Sequence, residues 1–123
     1  MEVVYNACYG GFSLSEEAIA RYAEIKGLTL YKETGAYGLV TYWIVPPEKR
    51  IGSRDAMTLK PRDISRCDPV LVQVVKELGD KANGRCAALK IADVASGQRY
   101  RIDEYDGAET VMTVDDYEWE IAT

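Results

Sequence analysis

Apolar and polar residues recur with changing period along the chain, and each change marks an element. Val3-Val4-Tyr5 opens as a short strand that runs into the glycine pair Gly10-Gly11. From Leu14 the spacing turns helical. Leu14, Ala18, Tyr22 and Ile25 share one face, and Glu16, Glu17, Arg21 and Glu24 share the other. Ser13-x-x-Glu16 has the form of a capping box, whereas Ser15 as the cap would set Leu14 against Ile19 as a hydrophobic staple. Both predict a helix that reaches Lys26 and stops at Gly27. Leu28-Thr29-Leu30-Tyr31 reads as a short strand and Glu33-Thr34-Gly35 as a turn. Tyr37 to Val45 is almost continuously apolar, which predicts a strand buried on both faces near the centre of a sheet. Pro46-Pro47 ends it, because proline cannot continue a strand ladder.

Glu48 to Ser65 has little periodicity and predicts a long loop, with a short strand near Met57-Thr58-Leu59. Asp68 is placed to cap a second helix with Pro69 at its first position. Val70, Leu71, Val74, Val75 and Leu78 form its apolar face and Gly79 stops it. Asp80 to Gly84 is a turn. Ala88 to Val94 and Gln98 to Glu104 read as a hairpin around Ala95-Ser96-Gly97, with Arg99 and Arg101 together on one face. Tyr105-Asp106-Gly107 is the next turn, signalled by Asp-Gly. Strands over 109–113 and 117–121 follow. The sum is an α+β fold, a mostly antiparallel sheet packed with about two helices in one domain over residues 1–123.

Composition narrows the function classes. The chain has no histidine, which excludes a histidine-based triad or a histidine-ligated metal. Cys8, Cys67 and Cys86 are odd in number without C-x-x-C spacing, so free thiols in a reducing compartment are expected. No apolar run approaches a membrane span, and Met1-Glu2-Val3 does not open a signal peptide. The net charge of −5 argues against duplex nucleic acid as a partner. The charge is segregated. Glu48 to Arg66 holds six basic and three acidic residues, whereas the chain from Ile102 onward holds eight acidic residues and no basic one. Such segregation is commonly a solvated face, but it also permits a local basic pocket or contact between copies.

Strand, glycine turn and helix start in succession can cradle a phosphate. The segment Tyr5 to Ser15 has that order, but it lacks the G-x-G-x-x-G and Lys-Ser/Thr fingerprints, and a plain tight turn explains it equally. Cys8 is the best nucleophile candidate, although only Lys or Glu could serve as its base. Asp103, Glu104 and Asp106 fit a solvated hairpin end better than a metal loop, and no essential metal is expected. Arg54, Arg62, Arg66, Arg85, Arg99 and Arg101 sit at turns and strand ends, where a guanidinium fork suits phosphate. Nine tyrosines offer ring faces for a base.

The opening Tyr5-Asn6-Ala7-Cys8-Tyr9-Gly10-Gly11-Phe12-Ser13-Leu14-Ser15 resembles that of a family of small phage proteins. Arg66-Cys67-Asp68-Pro69, Val75 to Gly79, Ala82-Asn83-Gly84, Leu89-Lys90-Ile91 and Asp103 to Gly107 extend the likeness over roughly residues 3–111. The family is the first Thoeris anti-defence family. The resemblance implies a non-catalytic sponge acting in the cytoplasm of an infected bacterium. It would sequester a cyclic ADP-ribose isomer such as glycocyclic ADP-ribose, and in some members cyclic trinucleotides as well. It implies a homodimer or homohexamer and no cofactor. Carried over residue by residue, it points to Asn83 and Asp106 as pocket residues, with Arg66 and one of the hairpin arginines Arg99 or Arg101. Phe12, Tyr9 or Tyr105 could then stack adenine. A phosphodiesterase acting on the same signal and a structural or protein-inhibiting phage factor are the competing readings.

Overall fold

The computed structural model describes residues 1–52, 54–114 and 122. The fold is α+β. In chain order it comprises β1 (Glu2–Asn6), α1 (Glu16–Lys26), β2 (Tyr31–Thr34), β3 (Val40–Trp43), β4 (Thr58–Leu59), α2 (Pro69–Leu78), β5 (Leu89–Asp93), β6 (Tyr100–Tyr105) and β7 (Ala108–Thr113). The two helices pack on each other, and α2 also packs on β1 and β5. Val3, Val4, Leu71, Val74 and Val94 are fully buried, and Val4, Leu71 and Val74 share one core cluster with Leu14, Ile19 and Tyr22 of the α1 region.

Local chemistry sets both helices. Ser15 is the N-cap of α1, and its Oγ accepts the Ala18 amide at 3.1 Å. Ser13 is no cap, since its hydroxyl donates to the Arg85 carbonyl. Leu14 and Ile19, the staple positions, are both buried. Gly27, at φ 73, closes α1, with the Leu28 amide reaching back to the Ala23 carbonyl. Asp68 caps α2 through the Val70 amide, Pro69 opens it and Gly79 ends it. Val72 joins Leu71, Val74 and Val75 in the core, while Val70 and Leu78 are half-buried.

The strands correct several expectations. Leu28 belongs to the helix cap, so β2 starts only at Tyr31, and Glu33 and Thr34 are strand rather than turn. The apolar run from Tyr37 yields a strand only over Val40–Trp43. Tyr37 is fully exposed in a 3₁₀ turn and Leu39 is 70% exposed. β3 is central, as expected, but its sheet has just three strands, and β4 is two residues long. That leaves too little sheet to cover both faces. Ala95-Ser96-Gly97 does not join a hairpin. β5 pairs antiparallel with β1 from Glu2↔Asp93 to Asn6↔Leu89, and the chain start adds bonds between Met1 and Val94. β6 instead pairs with β7. Among the described residues, three small antiparallel sheets stand in place of a single larger one. The expected strand over 117–121 lies outside the described residues.

Candidate functional site

The glycine loop after β1 is held by one buried amide. Asn6 is fully buried at the end of β1. Its Nδ2 donates to the carbonyls of Cys8 at 2.7 Å and Gly107 at 2.9 Å, and its Oδ1 accepts the amides of Ala88 at 2.8 Å and Cys8 at 3.3 Å. One side chain thus ties the loop, the start of β5 and the β6–β7 turn together. That turn is Asp106-Gly107, with φ 51 and φ 88, the two-residue form that suits a right-twisted hairpin. Gly107 closes directly on the glycine pair. A Cβ there would lie 2.5 Å from the Gly11 nitrogen and 2.7 Å from the Gly10 nitrogen.

This contact removes the phosphate-cradle reading of Gly10-Gly11. Their nitrogens are packed under the hairpin turn, and α1 begins only at Glu16, with Glu16 and Glu17 in its first turn.

A larger concavity lies on the other side of Phe12. It is an open cleft of about 690 Å³ between Phe12-Ser13-Leu14, strand β3 and the segment from Thr58 to Asp63. This size suits a nucleotide-scale ligand. Among the described lining residues, Leu14, Val40 and Leu59 give apolar walls, Tyr42 a ring, and Arg54, Lys60 and Arg62 three cations beside the carboxylate of Asp63. Arg54 is anchored, since its Nη2 donates to the Thr41 hydroxyl at 2.6 Å. Arg62 is exposed on the 3₁₀ turn Pro61–Asp63 and has no ion pair among the described residues. Pro61, at the first position of that turn, pre-sets its backbone.

The expected site residues separate into four places. Phe12 lines the cleft but is only 6% exposed, because the Arg66 guanidinium lies 3.5 Å from its ring centre. It offers the cleft an edge rather than a free face. Arg66 pairs with Glu109 of β7 at 2.5 Å, and Glu109 also accepts the Asn6 amide. Arg66 is therefore a brace between Phe12 and the hairpin. Asn83 stands behind Leu14, with which it forms an isolated bridge, and its Oδ1 accepts the Leu89 amide at 2.8 Å. Tyr105, 79% exposed, and Asp106 sit at the hairpin turn. Arg99 and Arg101 lie at the far end of β6, roughly 17–23 Å along the strand from Asp106 at about 3.3 Å per residue. They border a shallow 160 Å³ pocket, and Arg101 pairs with Asp103 at 2.8 Å. Within one chain they do not meet the hairpin-turn residues.

Sequence reasoning missed Asn6, Glu109 and the gathering of Arg54, Lys60 and Arg62 at one cleft. The basic bias of the aperiodic segment from Glu48 to Arg66 signalled a local basic pocket, but not which of its cations meet. Among the described residues no cluster of three potential ligands for a metal ion occurs, and the three cysteines are free thiols. No described helix is long and apolar enough to cross a membrane. Comparison with family models, with curated proteins and with solved structures finds no match for this chain.

Proposed function

We propose that this protein binds and sequesters a small phosphorylated nucleotide without cleaving it. The signal we assign is the one implied by the resemblance of its opening segment, a cyclic ADP-ribose isomer such as glycocyclic ADP-ribose. Its capture in the cytoplasm of an infected bacterium would blunt TIR-based Thoeris immunity. The observation that carries this reading is the cleft, where an acidic protein gathers Arg54, Lys60 and Arg62 beside apolar walls and the Tyr42 ring. A guanidinium can pair phosphate through two parallel hydrogen bonds, and a ring can lie against a base. Binding of this kind needs no activated nucleophile. Of the hydroxyls that line the cleft, Ser13 donates to the Arg85 carbonyl, Thr58 donates to the Arg54 carbonyl and Thr41 accepts from the Arg54 guanidinium. We further propose a homodimer or homohexamer, as the resemblance implies, because Arg99 and Arg101 border a separate pocket and do not line the cleft of their own chain.

The test is to mix the protein with glycocyclic ADP-ribose, measure the free signal, then heat the complex and measure again. The expected result is loss followed by recovery. Permanent loss would establish a phosphodiesterase instead, and no loss at all would favour a structural or protein-inhibiting factor.

A further inference from the structure

We infer that Arg50 and Arg54, gathered at Trp43 on the outer face of the β2–β3–β4 sheet, form a phosphate site, and that a bound phosphate draws Arg50 off the indole ring. For the identity of the ligand the inference rests on the nucleotide reading of the cleft, because Arg54 belongs to both places. Alternation along β3 sets the site. Tyr42 packs against the core with its neighbour Leu59, so Thr41 and Trp43 face the other way. Glu33 of β2 stands opposite Thr41 and shares that outer face. Arg50 follows the 3₁₀ turn Pro47–Lys49, and Arg54 opens the turn before β4. Their guanidinium groups come to 4.1 and 5.7 Å from the centre of the Trp43 ring.

Two donors in this stack are orphaned. The Trp43 Nε1 and the Arg50 Nε are buried, and neither has a hydrogen-bond partner among the described residues. Buried N–H groups of folded proteins are nearly always paired, so an orphan calls for a cause. Both atoms only donate, and what they lack is an acceptor. The local charge agrees. Arg50 pairs with Glu33 through Nη1 at 3.3 Å, whereas Arg54 donates to the neutral Thr41 hydroxyl and has no ion pair among the described residues. A phosphate supplies the missing acceptors and pairs with a guanidinium fork through parallel bonds. It cannot reach the orphaned atoms while Arg50 lies on the ring, since both are closed to solvent. Arg50 is held there only by the ring contact and by a long ion pair to Glu33, itself 51% exposed, which are weak restraints. Arg54 is exposed at the cleft and gives the ligand its approach. When Arg50 turns outward, the phosphate meets a second guanidinium, Arg50 Nε finds its acceptor, and the Trp43 ring opens to a base or to water.

Trp43 itself reports the event. With Trp119→Phe the full chain keeps a single indole. Inorganic pyrophosphate and ADP-ribose are each titrated onto it at fixed ionic strength, with Trp43 emission and its quenching by acrylamide as readouts. Either probe should give a saturable red shift and stronger quenching, and sodium chloride should give neither. Arg54→Lys keeps the charge but loses the fork, and should raise the midpoint about tenfold. Arg50→Gln should begin with red-shifted emission and shift no further. Arg99→Gln, at the far end of β6, should behave as the parent. If Arg50→Gln melts well below the parent, Arg54→Lys alone decides. A response to pyrophosphate without one to ADP-ribose upholds the phosphate site and removes the nucleotide from it. Calorimetric binding of ADP-ribose with unchanged Trp43 emission overturns the inference and leaves the cleft reading intact. Emission unchanged by both probes, or a midpoint unmoved in Arg54→Lys, overturns it as well.

Discussion

Two of the most consequential residues in this chain hold other residues in place. Asn6 satisfies four backbone groups with one amide, and Arg66 is sandwiched between the Phe12 ring and Glu109, whose side chain is 9% exposed. Arg62, by contrast, has no ion pair among the described residues and projects at the surface. Removing each side chain should therefore give different signatures. Asn6→Ala orphans the Ala88 amide and the Gly107 carbonyl, at roughly 1–3 kcal/mol for each buried group. Arg66→Ala leaves Glu109 without its cation, at about 2–4 kcal/mol, below the full cost for a buried pair because Arg66 is 18% exposed. Arg62→Ala should change stability by under about 0.5 kcal/mol. Thermal melts of the three variants check this. Equal melting temperatures for Arg66→Ala and Arg62→Ala would contradict the bracing role.

At the level of elements, legibility followed sequence separation. Both helices were readable because their signals are local: Ser15 and Gly27 bracket α1, and Asp68-Pro69 and Gly79 bracket α2. The Asp106-Gly107 turn was readable for the same reason. The partner of β5 was not, because β1 lies more than eighty residues away and a short strand's pairing is decided by the core it completes. The candidate site was partly legible. Asp106 and the arginines were visible as residue types, but the cleft was not, because Phe12-Ser13-Leu14, β3 and the Thr58–Asp63 segment meet only through tertiary packing. The helices are also coupled by a titratable contact. The Tyr22 hydroxyl of α1 donates to Asp68, the cap of α2, at 2.7 Å, and Lys26 lies 3.3 Å from the same carboxylate. Burial pushes the Asp68 carboxyl up, but bonds from Tyr22, the Val70 amide and Lys26 outweigh it and hold the group below its ordinary value. Burial, then the bond to Asp68, pushes Tyr22 up to about 12. The depressed acid stabilises the fold above its unfolded value of 3.8, and that contribution disappears as pH falls through the lower folded value. The raised phenol stabilises the fold below 10.0, and its contribution disappears as pH rises toward about 12. Melting temperature against pH should fall on both limbs. Tyr22→Phe should flatten the alkaline limb relative to the parent, and unchanged profiles in Tyr22→Phe and Asp68→Asn would count against the coupling.

On the scale of the whole molecule, the core and the three-stranded sheet contrast in how they are covered. The helices, β1 and β5 enclose the buried cluster, whereas the sheet of β2, β3 and β4 with its loops carries Tyr37 fully exposed, Leu39 70% exposed and Ile51 83% exposed. Trp43 on the same sheet is not free to anchor a partner, because Arg50 stacks over its ring at 4.1 Å and Arg54 lies at 5.7 Å. Isolated exposed apolar residues are ordinary on a monomer. Three large ones on the turns and loops of one small sheet, in a chain whose basic segment and acidic C-terminal stretch are far apart in sequence, make self-association through this region the expected state. Light scattering at micromolar concentration should then give a mass at least twice 13.7 kDa. Leu39→Asp with Ile51→Asp should return the mass to that of one chain, because each change sets a charge in an interface that would otherwise exclude water. Neither residue is in the buried core, so the double variant should melt near the parent's temperature once both are compared at equal chain concentration. If capture of the nucleotide depends on Arg99 or Arg101 from a second copy, the same double variant should also bind more weakly than the parent. A parent that scatters as a single chain would remove the interface and, with it, any role for those two arginines at the cleft.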